Sequence, residues 1–281
     1  MTLAVFLDNL FSFLTENRLS RMFLRFLQGL VRFPKDVGIR IENNVFYART
    51  LDRVVALYLR KFFFSKSFEA NLFRSVLRQG MRVIDVGANF GYYTVVSADF
   101  IGREGRVFAF EPDPGNFSLL LKNIDVNGCE NVEALNLAIS DKPGKTTLFL
   151  SKEHHGDHRI YDNHEGRKAI NVEATALDIF FDKNPKADII KVDVQGAEAK
   201  VFSGMKMLIE KNPQVLVFTE FWPKGLRQAG VSPKDFLNQI QDLGFSISII
   251  DEAAKSLKTS TIDGVLKASE KAPYLNLFLK K

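Results

Sequence analysis

Four carboxylates stand where strand-like runs end in this sequence: Asp85 in "RVIDVGANFG", Glu111 in "RVFAFEPDP", Asp193 in "IIKVDVQG" and Glu220 in "VLVFTEFW". An acid at the C-terminal end of a parallel strand faces the crevice in which open α/β sheets bind ligands. Asp85 leads into Gly87, Asn89 and Gly91, and a helical pattern follows. A glycine turn between strand and helix gathers backbone N–H groups and the positive helix end around a small polar ligand. Gly87 is expected to let that ligand approach the backbone, and Gly91 to let the helix lie close to the strand. The dinucleotide fingerprint G-x-G-x-x-G would need glycine at 87, 89 and 92, but Asn89 and Tyr92 stand there, which argues against a nicotinamide cofactor. Glu111 follows the turn by about twenty residues, where a carboxylate in such folds chelates ribose hydroxyls. Asp85 orients the turn or reaches an ammonium group. The predicted ligand is a nucleoside that carries an amino acid.

These residues need a scaffold, and the rest of the chain supplies its outline. Strand-like and helix-like segments alternate from "RVIDV" through a helix from Gly91, "RVFAF", a helix over Pro114–Asn127, "NVEALNLAI", "ADIIKVDV", a helix from Ala197, "QVLVFTE", a helix from Pro233, "FSISII" and "YLNLFLKK". Such alternation predicts a mostly parallel Rossmann-like sheet with helices on both faces. Before it, Asp52–Arg78 reads as helical with Gly80 as its C-cap, and "VGIRIENNVFYA" as a hairpin turning at Asn43 and Asn44. At 281 residues and 46% hydrophobic content, the chain can bury one large core with a small appendage. The predicted division is an N-terminal amphipathic helical segment with a short hairpin over 1–50, and the main domain over 51–281.

A single cysteine, Cys129, excludes an internal disulfide framework, and no paired Cys/His spacing resembles a zinc site. The cytoplasm is the expected compartment. A formal net charge of +5 permits acidic partners without demanding one. Phe6, Leu10, Phe13, Phe23 and Phe26 recur at helical spacing beside Arg18, Arg21, Arg25 and Arg32. No run approaches the ~18 apolar residues that span a bilayer. The favoured expectation is that this stripe packs on the chain's own core or on a second subunit; the alternative is docking on the inner, anionic membrane surface. Arg60–Lys66, "RKFFFSK", reads as core aromatics rather than a base-stacking platform.

Several blocks in order, "FEANLFRSVLRQGMRVIDVGANFGYYT", "VFAFEPDPGNFSLLLKNIDVNG", "ALNLAIS", "TALDIF", "DIIKVDVQGAEAKVFSGM" and "YLNLFLKK", resemble the FkbM family of class I S-adenosylmethionine-dependent methyltransferases. The resemblance runs from about Phe68 to Phe278. It implies a seven-stranded sheet with an antiparallel last strand. It also implies S-adenosyl-L-methionine along Asp85, Gly87, Ala88, Asn89, Gly91, Tyr92 and Tyr93, with ribose at Glu111 beside Pro112 and adenine near Phe117 and Ala138. The methyl end of the cofactor is expected at Asp193. Gln195 stands where family members often carry a glutamate.

The reaction that the resemblance implies is O-methylation of a hydroxyl on a sugar, glycan or natural product. In-line positioning supplies most of the rate of methyl transfer, and the remaining task is to take the hydroxyl proton. Asp193 and Glu220 are the carboxylates expected to act there, and Glu198, opening the next helix, is expected to touch the acceptor. Asp193 and Glu220 would hold Mg²⁺ if the reaction used a metal. Metal independence is the favoured expectation, because the lysine that follows such an aspartate by three residues in metal-dependent catechol methyltransferases is replaced here by Gly196. The loop "SKEHHGDHRIYDNHEG" gathers all four histidines, His154, His155, His158 and His164. His158 and Arg159 are read as an acceptor-binding pair, an imidazole to take a proton and a guanidinium fork for an anionic group. A non-catalytic S-adenosylmethionine-binding or membrane-associated scaffold is the alternative. A nucleic-acid partner is not expected, since no "NPPY"-like tetrapeptide follows the fourth strand and the cations form no stripe.

Overall fold

A computed structural model describes residues 36–49, 67–151, 157–162 and 166–281. The Phe/Arg stripe before residue 35, "RKFFFSK", the boundary at residue 50, and His154, His155 and His164 lie outside the described residues. Among the described residues no helix is long and apolar enough to cross a membrane.

The described residues open with an antiparallel hairpin, β1 (Asp36–Ile41) and β2 (Asn44–Arg49). Its turn residues are Glu42 and Asn43 rather than the expected Asn43 and Asn44. Asn44 pairs with Ile41, and Glu42 takes the left-handed φ of 54°. Helix α1 (Phe68–Val76) follows, its first backbone N–H groups collected by the distant carboxylate of Glu252. It ends at Val76 with Leu77 as its cap, so Gly80 (φ 78°) shapes the turn into the next strand instead of capping the helix.

The main domain then alternates as its periodicity predicts. The order is β3 (Arg82–Val86), α2 (Tyr92–Ile101), β4 (Arg106–Phe110), α3 (Pro114–Val126), β5 (Val132–Leu135), β6 (Ala138–Ile139), β7 (Gly144–Leu150), β8 (Lys168–Thr175) and α4 (Leu177–Phe180). It continues with β9 (Ile189–Val192), α5 (Glu198–Ser203), α6 (Lys206–Lys211), β10 (Leu216–Phe221), α7 (Pro223–Gln228), α8 (Pro233–Asp242), β11 (Ser246–Asp251), β12 (Ser256–Ser260), α9 (Ile262–Ser269) and β13 (Leu275–Lys280). The large sheet runs β12-β11-β13-β10-β9-β3-β4-β5. Strands β10, β9, β3, β4 and β5 are mutually parallel, and the last strand, β13, is antiparallel to both neighbours. The seven expected strands are all present, and β12 folds back on β11 as an eighth at the edge.

"NVEALNLAI" is divided between two sheets. Its first half is β5; its second half, β6, joins β8 and β7 in a separate three-stranded sheet. The break falls at Asn136, whose side-chain amide donates to the Glu111 and Pro112 carbonyls and draws the chain away from the sheet edge.

Side-chain alternation along the strands decides what faces which layer. Ile84, Val86, Ile190 and Val192 point into the core formed with α5, α6 and α8. Val83, Ile189 and Phe218 point to the opposite core, which includes α1, α2 and the hairpin residue Phe46. Asp85 and Lys191 follow the second parity, and they sit directly opposite each other across the β3–β9 ladder. The hairpin itself is stitched to α3. Asn123 Oδ1 accepts the Tyr47 N–H at 2.6 Å, and Asn127 Oδ1 accepts the Val45 N–H at 2.8 Å. The two amide groups return bonds to the Tyr47 and Val45 carbonyls.

Candidate functional site

Strands β3, β4, β9 and β10 end at a cavity of about 360 Å³, which β13 and the small sheet also help to wall. At one end lies the turn that follows β3. Gly87 and Ala88 both donate N–H bonds to the Phe110 carbonyl at 3.0 Å, folding the turn over the end of β4. Gly87 has a φ of +83°, and a Cβ there would lie 2.0 Å from the Asp193 carbonyl oxygen. The glycine therefore admits the neighbouring loop of its own chain, and it also lines the cavity, where the sequence expects a ligand to approach the backbone. A Cβ on Gly91 would meet Leu120 of α3 at 2.5 Å, so its close approach is to a helix instead of to the strand. Asn89 takes the left-handed φ of 54°, a region asparagine tolerates better than most residues.

Glu111 ties this turn to the next. One carboxylate oxygen accepts the Asn89 N–H at 2.8 Å and the other the Asp113 N–H at 2.9 Å. Burial pushes its carboxyl up to about 7 against the pull of those N–H groups. Asp85 is buried, accepts the Thr94 hydroxyl at 2.6 Å, and is pushed up to about 6 by the same cause. Asn89 Oδ1 is buried with no hydrogen-bond partner among the described residues, an acceptor left over in the cavity wall.

The other end of the cavity is built from charge. Lys191, 3% exposed, lies with its Nζ 3.5 Å from Glu69 Oε1 and 3.6 Å from Asp193 Oδ2. Burial works against its charge, yet Glu69, Asp193, Glu220 and Asp85 outweigh it and hold the ammonium above its ordinary range. Asn276 of β13 donates to Glu69 Oε2. Gln195 Nε2 donates to Asp193 Oδ1 at 2.8 Å and to Glu220 Oε2 at 3.2 Å. Burial, then the charges of Asp193 and Glu198, push the Glu220 carboxyl up to about 9.

The cavity gathers Asp85, Gly87, Ala88, Asn89, Tyr92, Tyr93, Glu111, Pro112, Ala138, His158, Asp193 and Glu220 from the residues read as functional in the sequence. Four others are placed off its wall. Gly91 packs behind the turn, and Phe117 packs with Ala88, Ala109 and Leu120. Arg159 forks onto Asp157 at 2.8 and 3.1 Å with its guanidinium 4.6 Å from the Trp222 ring. Glu198 Oε1 accepts the Val194 and Gly196 N–H groups at 3.2 and 3.1 Å and shapes the loop after β9. His158 lines the cavity with Nδ1 accepting the Ser151 N–H at 3.0 Å, so Nε2 bears the ring proton. Glu69, Lys191 and Asn276 belong to the site without having been read as such. A lysine in the apolar run "DIIKV" was the available signal for Lys191; an acid in a first helical turn, as at Glu69, reads only as a dipole partner.

The raised carboxyls make the fold pH-sensitive. Asp85, Glu111, Glu198 and Glu220, at about 6, 7, 7 and 9, hold protons more tightly folded than unfolded. Their contribution to stability is therefore complete below the ordinary carboxylate range and is lost as pH climbs through the folded values. Ligand-free protein is expected to melt at a higher temperature at about pH 5 than at about pH 9. A melting temperature that rises across that interval would show these groups charged in the fold.

The model of the methyltransferase FkbM domain matches residues 85–247. A curated relative, hexuronic acid methyltransferase AglP of Haloferax volcanii, is 28% identical over 166 residues, 59% of this chain and 63% of that protein. Methyltransferase 1 of Beauveria bassiana is 26% identical over 147 residues, 44% of this chain and 57% of that protein. The chain thus spans less than two thirds of the length of either relative. Among solved structures, a methyltransferase FkbM from Methylobacillus flagellatus superposes with a TM-score of 0.44 at 13% identity, covering 83% of this chain and 55% of that one.

Proposed function

The chain belongs to the FkbM methyltransferase family, and from that premise we propose that it is an S-adenosylmethionine-dependent O-methyltransferase acting on a hydroxyl of a sugar, glycan or natural product. The observation that carries this reading is one cavity joining the Asn89–Glu111 turn to the Lys191–Asp193–Glu220 cluster. The cofactor supplies a methyl group already activated on a sulfonium. At the turn, Glu111 has lone pairs beyond the two that hold backbone N–H groups, and these suit the two hydroxyls of a ribose. The orphan acceptor on Asn89 suits a ligand N–H or O–H.

At the far end, Asp193 accepts the hydroxyl proton as the new bond forms. Lys191 holds the negative charge of Asp193 in place, and the Gln195 amide joins it to Glu220. His158 accepts the Ser151 N–H on Nδ1 and holds Nε2 3.9 Å from Asp113 Oδ2, an arrangement that suits it to shaping the cavity wall more than to taking the acceptor's proton. Among the described residues no group of three or more His, Cys, Asp or Glu side chains is arranged to hold a metal ion. The metal-free form of this reading rests on the neutral Gln195 amide that joins Asp193 to Glu220. The name of the Haloferax volcanii relative supports a carbohydrate acceptor.

Full-length protein incubated with methyl-labelled cofactor and a carbohydrate-containing cell extract tests this. The expected product is an O-methylated sugar or glycan, formed at an undiminished rate in excess EDTA. Label on nucleic acid, or on nothing while the cofactor binds, would overturn the proposal. Loss of turnover on chelation would overturn its metal-free form.

A further inference from the structure

The loop after β9 holds a residue in a conformation its type does not favour. Gln195 has a φ of 55°, and non-glycine residues adopt this left-handed region at a cost that only a constraining environment sustains. The constraints are visible. The Gln195 carbonyl accepts the Tyr161 hydroxyl at 2.9 Å. Glu198 Oε1 pins the N–H groups on both sides of Gln195, those of Val194 and Gly196. The next residue, Gly196, has a φ of +101°, and a Cβ there would lie 2.6 Å from the Tyr161 hydroxyl and 2.8 Å from the Gly225 carbonyl carbon. The backbone is thus set so that one side chain points into the cavity.

That side chain commits both hydrogens of its amide, one to Asp193 Oδ1 and one to Glu220 Oε2. Two carboxyl groups on adjacent strand ends repel when both are charged; Lys191 Nζ meets Asp193 on Oδ2, and a group on the Oδ1 side that also reaches Glu220 is needed to tie the pair. A primary amide meets this requirement, since it offers two N–H groups without adding charge. We propose that Gln195 is a positioning residue that takes the place of a bridging cation between Asp193 and Glu220, fixing Asp193 for the methyl-transfer step. This rests on the functional reading given above, but the tie between the two carboxyls exists without cofactor or acceptor and can be tested alone. A glutamate at 195 would make a third carboxylate at the same point, and the cluster would then call for a divalent cation.

The experiment uses the full chain as wild type, Gln195→Glu and Gln195→Ala. Mn²⁺ alone is titrated and followed by electron paramagnetic resonance, with S-adenosylhomocysteine affinity measured separately by calorimetry. Wild type is expected to show no saturable Mn²⁺ site, and Gln195→Glu to gain one that Asp193→Asn in the same chain removes. Gln195→Ala is expected to bind S-adenosylhomocysteine within about threefold of wild type and to lose tenfold or more in kcat at unchanged KM for the cofactor. The proposal is overturned if wild type binds Mn²⁺ in an Asp193-dependent way, if folded Gln195→Glu binds none, or if Gln195→Ala keeps full kcat. Wild type that fails to bind S-adenosylhomocysteine would sink the methyltransferase reading instead, and the Mn²⁺ result would still decide the role of the amide.

Discussion

Glu111→Gln weakens S-adenosylmethionine binding by about 10- to 150-fold, the range set by ~1.5 to 3 kcal/mol for a hydrogen bond to a charged group. The carboxylate is expected to bond the ribose hydroxyls while already holding two loops, through Asn89 N–H and Asp113 N–H. An amide cannot accept from both. Whichever way it turns, its NH₂ faces a backbone N–H, so the turn over the end of β4 loosens as the ligand bond is lost. The same carboxyl, pushed up to about 7 by burial, makes affinity depend on pH. Binding should strengthen as pH rises through about 7, because only the ionised form accepts from both hydroxyls without a competing proton. Calorimetry across pH checks both effects. A folded Glu111→Gln protein with wild-type affinity would remove Glu111 from the cofactor site.

Asp193→Asn is expected to lower methyl transfer by ~10²- to 10⁴-fold, the usual contribution of a positioned base, with cofactor affinity changed only a few-fold. Asparagine keeps the size of the side chain and an oxygen for Gln195 Nε2, so the loop should hold its shape. What it loses is the proton acceptor and the charge that faces Lys191 Nζ at 3.6 Å. Removing that charge also lets the carboxyl of Glu220 ionise at lower pH, since Asp193 is the largest of the charges that raise it. A variant that binds cofactor normally and still turns over at the wild-type rate would show that the proton leaves by another route. Single-turnover measurements separate this outcome from an effect on product release.

Much of the turn after β3 was legible because its signals are local. The spacing Asp85, Gly87, Asn89, Gly91 needs only a strand, a positive-φ turn and a helix start, and all three follow from residues within a dozen positions. Glu111 was legible for a related reason: consecutive parallel strands pair side by side, so the end of β4 falls next to the end of β3. Arg159 and Glu198 show where such reading stops. Their residue types and positions suited an acceptor contact, but each found a nearer partner, Asp157 for one and two backbone N–H groups for the other. Buried polar groups take whatever partners the packed chain brings within reach.

The sequence by itself determined the alternation of strands and helices, the family, and the turn with its two acids, since these are carried by periodicity and by short-range backbone chemistry. The tertiary structure decided the charged end of the cavity. Lys191 on β9, Glu69 on α1, Asn276 on β13 and Glu220 on β10 become one cluster only when four elements distant in sequence close around the same space. Their behaviour is a property of that enclosure. Burial removes the water that would otherwise screen each charge, so the ionisation of Lys191, Glu69 and Glu220 depends on the groups each is buried with.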